Sequence, residues 1–284
     1  MSKRARFRCA LVTGVLMLGA AVLAGVGYRH ARADPVVRRM TVRLPHWPAG
    51  AAPVTVALLS DIHLGGPAMD ASRLARIVAQ VDALRPDLVL IAGDFVFGHD
   101  PAKGVRFAGG LAAPLARLRA PLGVVAVLGN HDHWTAPAAV TGALGRAGVT
   151  VLANQAAERG PLAIVGVDDA FSGHAAPGAA LAAARRLPGA PVLLTHTPGL
   201  ALPPGAAPLV LAGHTHCGQV VLLWVGTVVA TSPLLHRRLF DPRYRCGAVR
   251  DPGRLTIVTA GLGTSVVPLR FGAPPDLWLL RLGP

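Results

Sequence analysis

Apolar residues along this chain follow three patterns. Residues 9–28 run without a charge, close to the length that crosses a bilayer core, behind a leader holding Lys3, Arg4, Arg6 and Arg8. Beyond a proline-rich approach (Pro45, Pro48, Pro53), short apolar runs of strand length begin at 54–59, 88–91 and 123–128. Between them lie segments of helical spacing. Residues 69–84 put Leu74, Ile77, Val78, Val81 and Leu84 on one face and stop before Pro86. Residues 105–118 and 136–147 read as two more helices, the second closed by Gly148. Strand-like runs dominate the second half, at 150–152, 162–167, 192–194, 209–212, 219–225, 255–259 and 277–280.

The alternating first half implies a parallel sheet with helices outside it, and the strand-rich second half supplies another sheet. The expectation is an α/β protein of two packed sheets with helices on both outer faces. With no linker between the runs, one catalytic domain is expected over 54–284. It is preceded by a membrane anchor or signal segment over 1–33 and a linker over 34–53. The apolar stretch exceeds the usual core of a signal peptide, which favours an uncleaved anchor, although Ala31-Arg32-Ala33 is compatible with cleavage. The basic leader points to a single pass through the inner membrane with the catalytic domain outside the cytoplasm, and Arg29, Arg32, Arg38, Arg39 and Arg43 on the other side weaken that asymmetry.

The net charge of +14 is almost wholly arginine, and Glu158 is the sole glutamate. Such a surface suits an anionic partner. Nucleic acid is not expected, because only two tyrosines are present and no basic-aromatic platform appears. Cysteines stand at 9, 217 and 246; no CxxC occurs, and sequence alone does not settle whether Cys217 and Cys246 pair.

The chemistry lies where the apolar runs end. Asp61-Ile62-His63, Gly93-Asp94, Gly129-Asn130-His131-Asp132, Thr195-His196 and Gly213-His214-Thr215-His216 each follow such a run. In an open α/β sheet that edge binds ligands. Aspartate, asparagine and histidine provide hard and borderline donors, and two divalent ions roughly 3.5–4 Å apart can hold a hydroxide between them for in-line attack on phosphorus. The spacing of Gly213-His214-Thr215-His216 puts both histidines on one side of an extended segment.

In order and in kind, these motifs resemble the pattern of the calcineurin-like metallophosphoesterases: D-x-H, GD, GNH[DE], H and GHxH. The flanking Leu211-Ala212-Gly213-His214-Thr215-His216-Cys217-Gly218-Gln219, with Gly261-Leu262-Gly263-Thr264-Ser265 and Pro268-Leu269-Arg270-Phe271, is similar to a membrane-associated bacterial subgroup of proteins like the YkuE and YaeI phosphodiesterases. The resemblance implies a four-layer α/β/β/α sandwich and two divalent metal ions, manganese, iron or zinc. One ion would be held by Asp61, His63, Asp94 and His216. The other would be held by Asp94, Asn130, His196 and His214. His131 would stabilise the transition state or protonate the leaving group, and Asp132 would orient His131 through a hydrogen bond.

One departure narrows the substrate. Protein phosphatases of this superfamily continue the second motif with an arginine that grips phosphate, whereas here Asp94 precedes Phe95-Val96-Phe97-Gly98-His99. A phosphodiester or pyrophosphate, lipid-linked ones included, is the expected anionic substrate, hydrolysed at a membrane by a metal-bridged hydroxide. The alternatives are a cytoplasm-facing enzyme acting on UDP-2,3-diacylglucosamine and a wall- or lipid-binding protein with little catalysis. Cys217 reads as a small filler or as a redox-sensitive thiol beside His216. His30, His46 and His236 are expected in solvated positions, and His99, His133 and His174 are candidates for substrate contact. Arg237, Arg238, Arg243, Arg245, Arg250 and Arg254, around Leu235, Leu239, Phe240 and Tyr244, form either a solvated loop or a rim for anionic headgroups.

Overall fold

The computed structural model describes residues 3–203, 205–222, 224–228, 230–232 and 237–284. The first sheet contains Val36–Arg43 (β1), Val54–Leu59 (β2), Leu88–Ala92 (β3), Val124–Val127 (β4) and Val149–Val151 (β5). The second contains Gln155–Arg159 (β6), Leu162–Gly166 (β7), Ala190–Leu194 (β8) and Leu209–Ala212 (β9). Two small hairpins follow, Val221–Leu222 (β10) with Gly226–Thr227 (β11) and Thr231–Ser232 (β12) with Arg237–Arg238 (β13). Gly247–Asp251 (β14) and Arg254–Val258 (β15) complete the second sheet, and Asp276–Gly283 (β16) returns to the first. The strand orders are β1-β16-β2-β3-β4-β5 and β14-β15-β9-β8-β7-β6. Within each, a block of neighbouring strands is parallel, β2 to β5 and β15-β9-β8-β7.

Because β3, β4 and β7 to β9 are covered on both faces, they read as nearly unbroken apolar runs. Alternate side chains divide between two cores. Leu58, Leu90, Val125 and Val127 meet Ile164, Val192, Leu194 and Leu211 between the sheets. Ala57, Leu59, Val89 and Ile91 face the helices Ala71–Ala83 (α2), Pro101–Ala108 (α3), Ala112–Leu115 (α4) and Pro137–Arg146 (α6). A smaller cluster of Val165, Leu193 and Val210 packs Pro177–Ala184 (α7) on the far side. The layers therefore run α/β/β/α, as expected. Each fully buried Leu, Ile or Val contributes on the order of 1.5–3 kcal/mol against the chain entropy lost on folding.

Three local expectations are corrected. The helix expected at 105–118 is split into α3 and α4. Asp100 caps α3 early by accepting from the Ala102 and Lys103 N–H groups, and Gly109-Gly110 interrupt the helical run. The strand expected at 219–225 is reduced to β10, outside both sheets; Gly218 (φ 83°) and Gln219 (φ 48°) turn the backbone just before it. Part of the expected linker over 34–53 is β1, an edge strand paired in parallel with β16.

The N-terminal helix Lys3–Ala31 (α1) has 29 residues and is long and apolar enough, by length and composition, to cross a membrane. Its side chains are exposed from Ala10 to Val26, and burial begins at Gly27. There it docks on the sandwich. The Arg270 N–H donates to the Gly27 carbonyl at 3.0 Å, the Tyr28 hydroxyl donates to the Pro67 carbonyl at 3.0 Å, and Arg32 pairs with Asp70 at 2.8 Å. The buried Arg73 guanidinium donates to the carbonyls of Arg32 and Ala33, tying the end of α1 to α2.

Candidate metal centre and active site

Each expected site residue lies just past the C-terminal end of a strand. Asp61 and His63 follow β2, Asp94 follows β3, and Asn130 opens the short helix Asn130–Thr135 (α5) after β4. His196 follows β8, while His214 and His216 follow β9. Asp61 (φ 52°), His63 (50°), Asp94 (56°), His214 (69°) and His216 (50°) have left-handed backbones, sparsely populated for such residues. Hydrogen bonds between turns hold them there. The Asp61 N–H donates to the Gly93 carbonyl at 2.9 Å, His63 N–H to Asp94 at 3.0 Å, and Gly213 N–H to His196 at 3.0 Å. Two motif glycines are required by close approach. A Cβ on Gly213 would lie 1.7 Å from Ser60 Oγ, and one on Gly129 would lie 2.3 Å from Asp94 Oδ1.

These turns bring the donor atoms into two overlapping groups. In one, His63 Nε2 lies 3.2 Å from His216 Nε2, 3.5 Å from Asp94 Oδ2 and 3.9 Å from Asp61 Oδ1, while His216 Nε2 is 3.4 Å from Asp61 Oδ1. In the other, His196 Nε2 lies 3.1 Å from Asn130 Oδ1, 3.2 Å from His214 Nδ1 and 3.3 Å from Asp94 Oδ2. Asp94 Oδ2 is common to both. Ring nitrogens this close need a shared proton or a common cation between them. Their distal atoms support the second arrangement: His196 Nδ1 meets the Ala92 carbonyl at 2.6 Å and His214 Nε2 the Leu239 carbonyl at 2.8 Å. Each carbonyl fixes the tautomer that turns the other nitrogen inward. The donor set fits divalent metal.

Electrostatics points the same way. Burial pushes His63 down to about 3, with Asp94 opposing, and His214 down to about 4, aided by His196. Burial, His63 and the Arg270 guanidinium hold His216 well below its ordinary value. These imidazoles are neutral, as ligands must be. For His196 burial favours the neutral ring but is outweighed by Asp94, which raises it well above the usual range. Burial likewise works to raise Asp94 and is overcome by the facing imidazoles, which hold it well below the carboxylate range. Burial pushes Asp61 up to about 7.

The calcineurin-like phosphoesterase family model matches residues 54–218, which contain every one of these donors. The chain belongs to that family. It is a metal-dependent phosphoric ester hydrolase. It is 30% identical to the metallophosphoesterase YkuE of Bacillus subtilis over 95% of this chain and 94% of that one. It is 30% identical to the phosphodiesterase YaeI of Escherichia coli over 92% and 94%. A transmembrane protein with a metallophosphoesterase domain from Danio rerio is 31% identical over 93% of this chain. Of the longer relatives the chain spans only part, 61% of the Danio rerio protein and 25% of a putative metallophosphoesterase of Caenorhabditis elegans.

In this phosphoesterase His131 and Asp132 are placed differently from each other. The His131 Nδ1–H donates to the Gly98 carbonyl at 2.9 Å, which leaves Nε2 on the side of the cavity that His131 lines. Asp132 does not bond the His131 ring, contrary to expectation. Its carboxylate accepts from the backbone N–H groups of Phe95 (2.8 Å), Val96 (3.2 Å) and Gly129 (2.9 Å). Both its oxygens are thus occupied in clamping the Asp94 turn to the start of α5. Burial and Asp94 raise Asp132 to about 7 against the Gly129 and Val96 N–H donors.

A cavity of about 400 Å³ opens above Asp94, Asn130, His131, His214 and His216. Phe97, His99, Trp134 and Phe171 line it, as do Leu239, Phe240 and Val266. His99 stacks on Trp134 at 5.0 Å, and Phe171 tilts against His214 at 4.7 Å. No arginine lines this cavity among the described residues. Of the remaining histidines, His133 donates to Asp168 at 2.8 Å and stacks on His174 at 3.8 Å, outside the cavity lining. His30 packs edge-on against Phe271, and His46 is exposed. His236, Leu234 and Leu235 lie outside the described residues.

The sequence reading attached no role to Arg270. It is fully buried, donates to the carbonyls of Ala260, Gly263 and Ala273, and reaches His216 Nδ1 at 3.2 Å. The one available signal was a lone arginine in an otherwise apolar Pro268-Leu269-Arg270-Phe271. Cys217 is neither a filler nor a free thiol: it is disulfide-bonded to Cys246, with Cα atoms 4.6 Å apart. The bond fastens the 217–246 segment, whose Leu239 carbonyl orients His214, to the ligand motif. In that segment and just beyond it, Arg243 pairs with Asp251 and Arg254 donates to the Leu202 carbonyl, so part of the expected basic rim is spent internally.

Proposed function

We propose that the chain is a membrane-anchored phosphodiesterase or pyrophosphatase with a dinuclear centre. Asp61, His63, Asp94 and His216 would hold one divalent ion; Asp94, Asn130, His196 and His214 would hold the other, with manganese, iron and zinc all suited to these donors. The observation that carries the reading is Asp94 Oδ2 within 3.5 Å of His63 Nε2 and 3.3 Å of His196 Nε2, the position of a bridging carboxylate. When bound, the ions supply Lewis acidity for the phosphate oxygens and lower the pKa of an attacking water. The chain's residues do the rest. Water oxygen attacks phosphorus opposite the leaving ester oxygen and gives up a proton to solvent, the P–O bond to the leaving oxygen breaks, and His131, in its doubly protonated form, delivers the Nε2 proton to that oxygen. Asp132 keeps Asp94 and Asn130 in register, and Arg270 holds the His216 ring from its Nδ1 side.

The apolar walls and the lack of a lining arginine among the described residues favour a diester or pyrophosphate with an apolar substituent over a bare monoester. Anchoring by α1 is supported by its length, its exposed apolar surface and the Danio rerio relative named as a transmembrane protein. The Cys217–Cys246 disulfide favours an oxidising, extracytoplasmic side over the cytoplasm-facing alternative. The test is hydrolysis of a chromogenic diester and its matching monoester by the full chain in detergent with manganese or zinc. Metal-dependent diester turnover that collapses in Asp94→Ala and His131→Ala supports the reading. A folded chain that binds no metal and cleaves neither ester contradicts it and favours the wall- or lipid-binding alternative.

A further inference from the structure

Close to the cavity, the chain runs from Cys217 to Leu235 without a single charged residue, and His236, Arg237 and Arg238 follow at once. The first residues of this stretch, Cys217 to Gln219, are buried, but the hairpin that follows is largely exposed. Leu222 and Val228 are about half exposed, and Val225 and Trp224 at the hairpin tip stand in water, Trp224 completely. A solvent-exposed tryptophan between aliphatic side chains leaves a large apolar surface unpartnered, which marks an interaction site.

Its attachments say what covers it. The Val221 N–H donates to the Phe271 carbonyl at 2.9 Å, the Phe271 N–H to Gln219 at 3.0 Å, and the neighbouring Arg270 N–H to the Gly27 carbonyl at 3.0 Å. The Phe271 ring presses on Gly27, where a Cβ would come within 2.5 Å of it. Gly27 is also the first buried residue of α1, on the face that meets the domain, while Tyr28 to His30 after it are exposed again. The hairpin base is therefore bonded to the level at which an apolar spanning helix enters the folded domain. Gln219 extends the connection to the cavity mouth, since its side chain binds the Ser265 N–H and the Val267 carbonyl on either side of exposed Val266.

We propose that the 221–228 hairpin inserts Trp224 and Val225 into the surface of the bilayer that α1 crosses, and that the phosphoester entering this cavity is the headgroup of a lipid in that bilayer. Tryptophan is suited to this level, with its ring among acyl chains and its N–H among headgroups. The following arginines match an anionic leaflet. A substrate presented this way needs no soluble diffusion path, and its chain can lie along Leu239, Phe240 and Val266, which line the mouth. The substrate half of the proposal rests on the phosphoesterase reading above; the membrane contact does not.

The test uses the full chain reconstituted in vesicles of phosphatidylcholine and phosphatidylglycerol whose acyl chains are brominated near the headgroup. Tryptophan emission is expected to be quenched, with most of the quenching lost in Trp224→Phe. Equal quenching in both proteins overturns the membrane contact, as it would if a second copy or another protein covered the hairpin. A second arm compares a vesicle-borne lipid phosphodiester with a soluble chromogenic diester in the double variant Trp224→Ser/Val225→Ser. Lipid turnover is expected to fall about tenfold while soluble turnover holds, as loss of apolar burial of this size allows. Equal effects on both substrates overturn the lipid assignment. Absence of turnover by the unsubstituted chain on either ester counts against the phosphoesterase reading, and the quenching still decides the membrane contact.

Discussion

The strand-end turns and the 217–246 segment border one cavity but are built in opposite ways. Asp61, His63, Asp94 and His196 are buried on short turns bonded to each other, behind strands covered on both faces. Across the cavity, the described part of 217–246 has only two-residue strands, several exposed apolar side chains and one disulfide that joins its two ends. The contrast separates two tasks. Ligands for an ion have to be placed to a few tenths of an ångström, which packed sheet edges achieve. A rim that admits and orients a substrate can be built from loops, provided that it is fastened where it touches the ligands.

On the rigid side, Asp94→Ala removes the atom common to both donor groups. Metal content of the purified chain is expected to collapse, and diester turnover to fall by about a thousandfold or more, with both read on the same preparation. His131→Ala is expected to cost about a hundredfold in kcat with metal content intact, because its ring is held by the Gly98 carbonyl rather than by the cage. His131 also has a ligand atom within 4.8 Å of those of His63 and Asp94, so loss of metal in this variant would make it a ligand as well.

On the loop side, Cys217→Ser with Cys246→Ser opens a closure across 29 residues and is expected to lower stability by about 3–4 kcal/mol in denaturant unfolding. The sheet donors should remain placed, so metal content should hold while KM rises. The smallest effect is a proton count. His196 lies above its ordinary value of 6.5 in the folded protein, so the metal-free fold gains from its protonated ring below pH 6.5 and loses that gain as pH rises through the raised value. A cation competes for the same nitrogen. Calorimetry of manganese binding in buffers of different ionisation enthalpy should find more than one proton released near pH 7, from His196 and in part from Asp61, whose carboxyl stands at about 7, and fewer as pH rises through both values. His63 and His214, already neutral, should add none.

The same contrast explains what could be read in the sequence. The sheet-borne part was legible because buried parallel strands leave continuous apolar runs, so Asp61, Asp94, Asn130, His196 and His214 stood out as polar residues at their ends. Strand β1 was not, because Val36-Val37-Arg38-Arg39-Met40-Thr41-Val42-Arg43 is an edge strand whose exposed arginines look like a juxtamembrane tract. The Asp132 partners escaped because they are backbone N–H groups, which carry no residue-type signature. Arg270 and the Cys217–Cys246 bond depend on contacts 54 and 29 residues apart within irregular structure, where no periodicity points from one partner to the other.

The central claim is that two donor groups sharing Asp94 hold two ions. Anomalous diffraction at the manganese edge from a manganese-loaded crystal tests it directly. The account predicts two peaks roughly 3.5–4 Å apart on either side of the Asp94 carboxylate, one among Asp61, His63 and His216 and the other among Asn130, His196 and His214. A single peak, or peaks away from these residues, would contradict it.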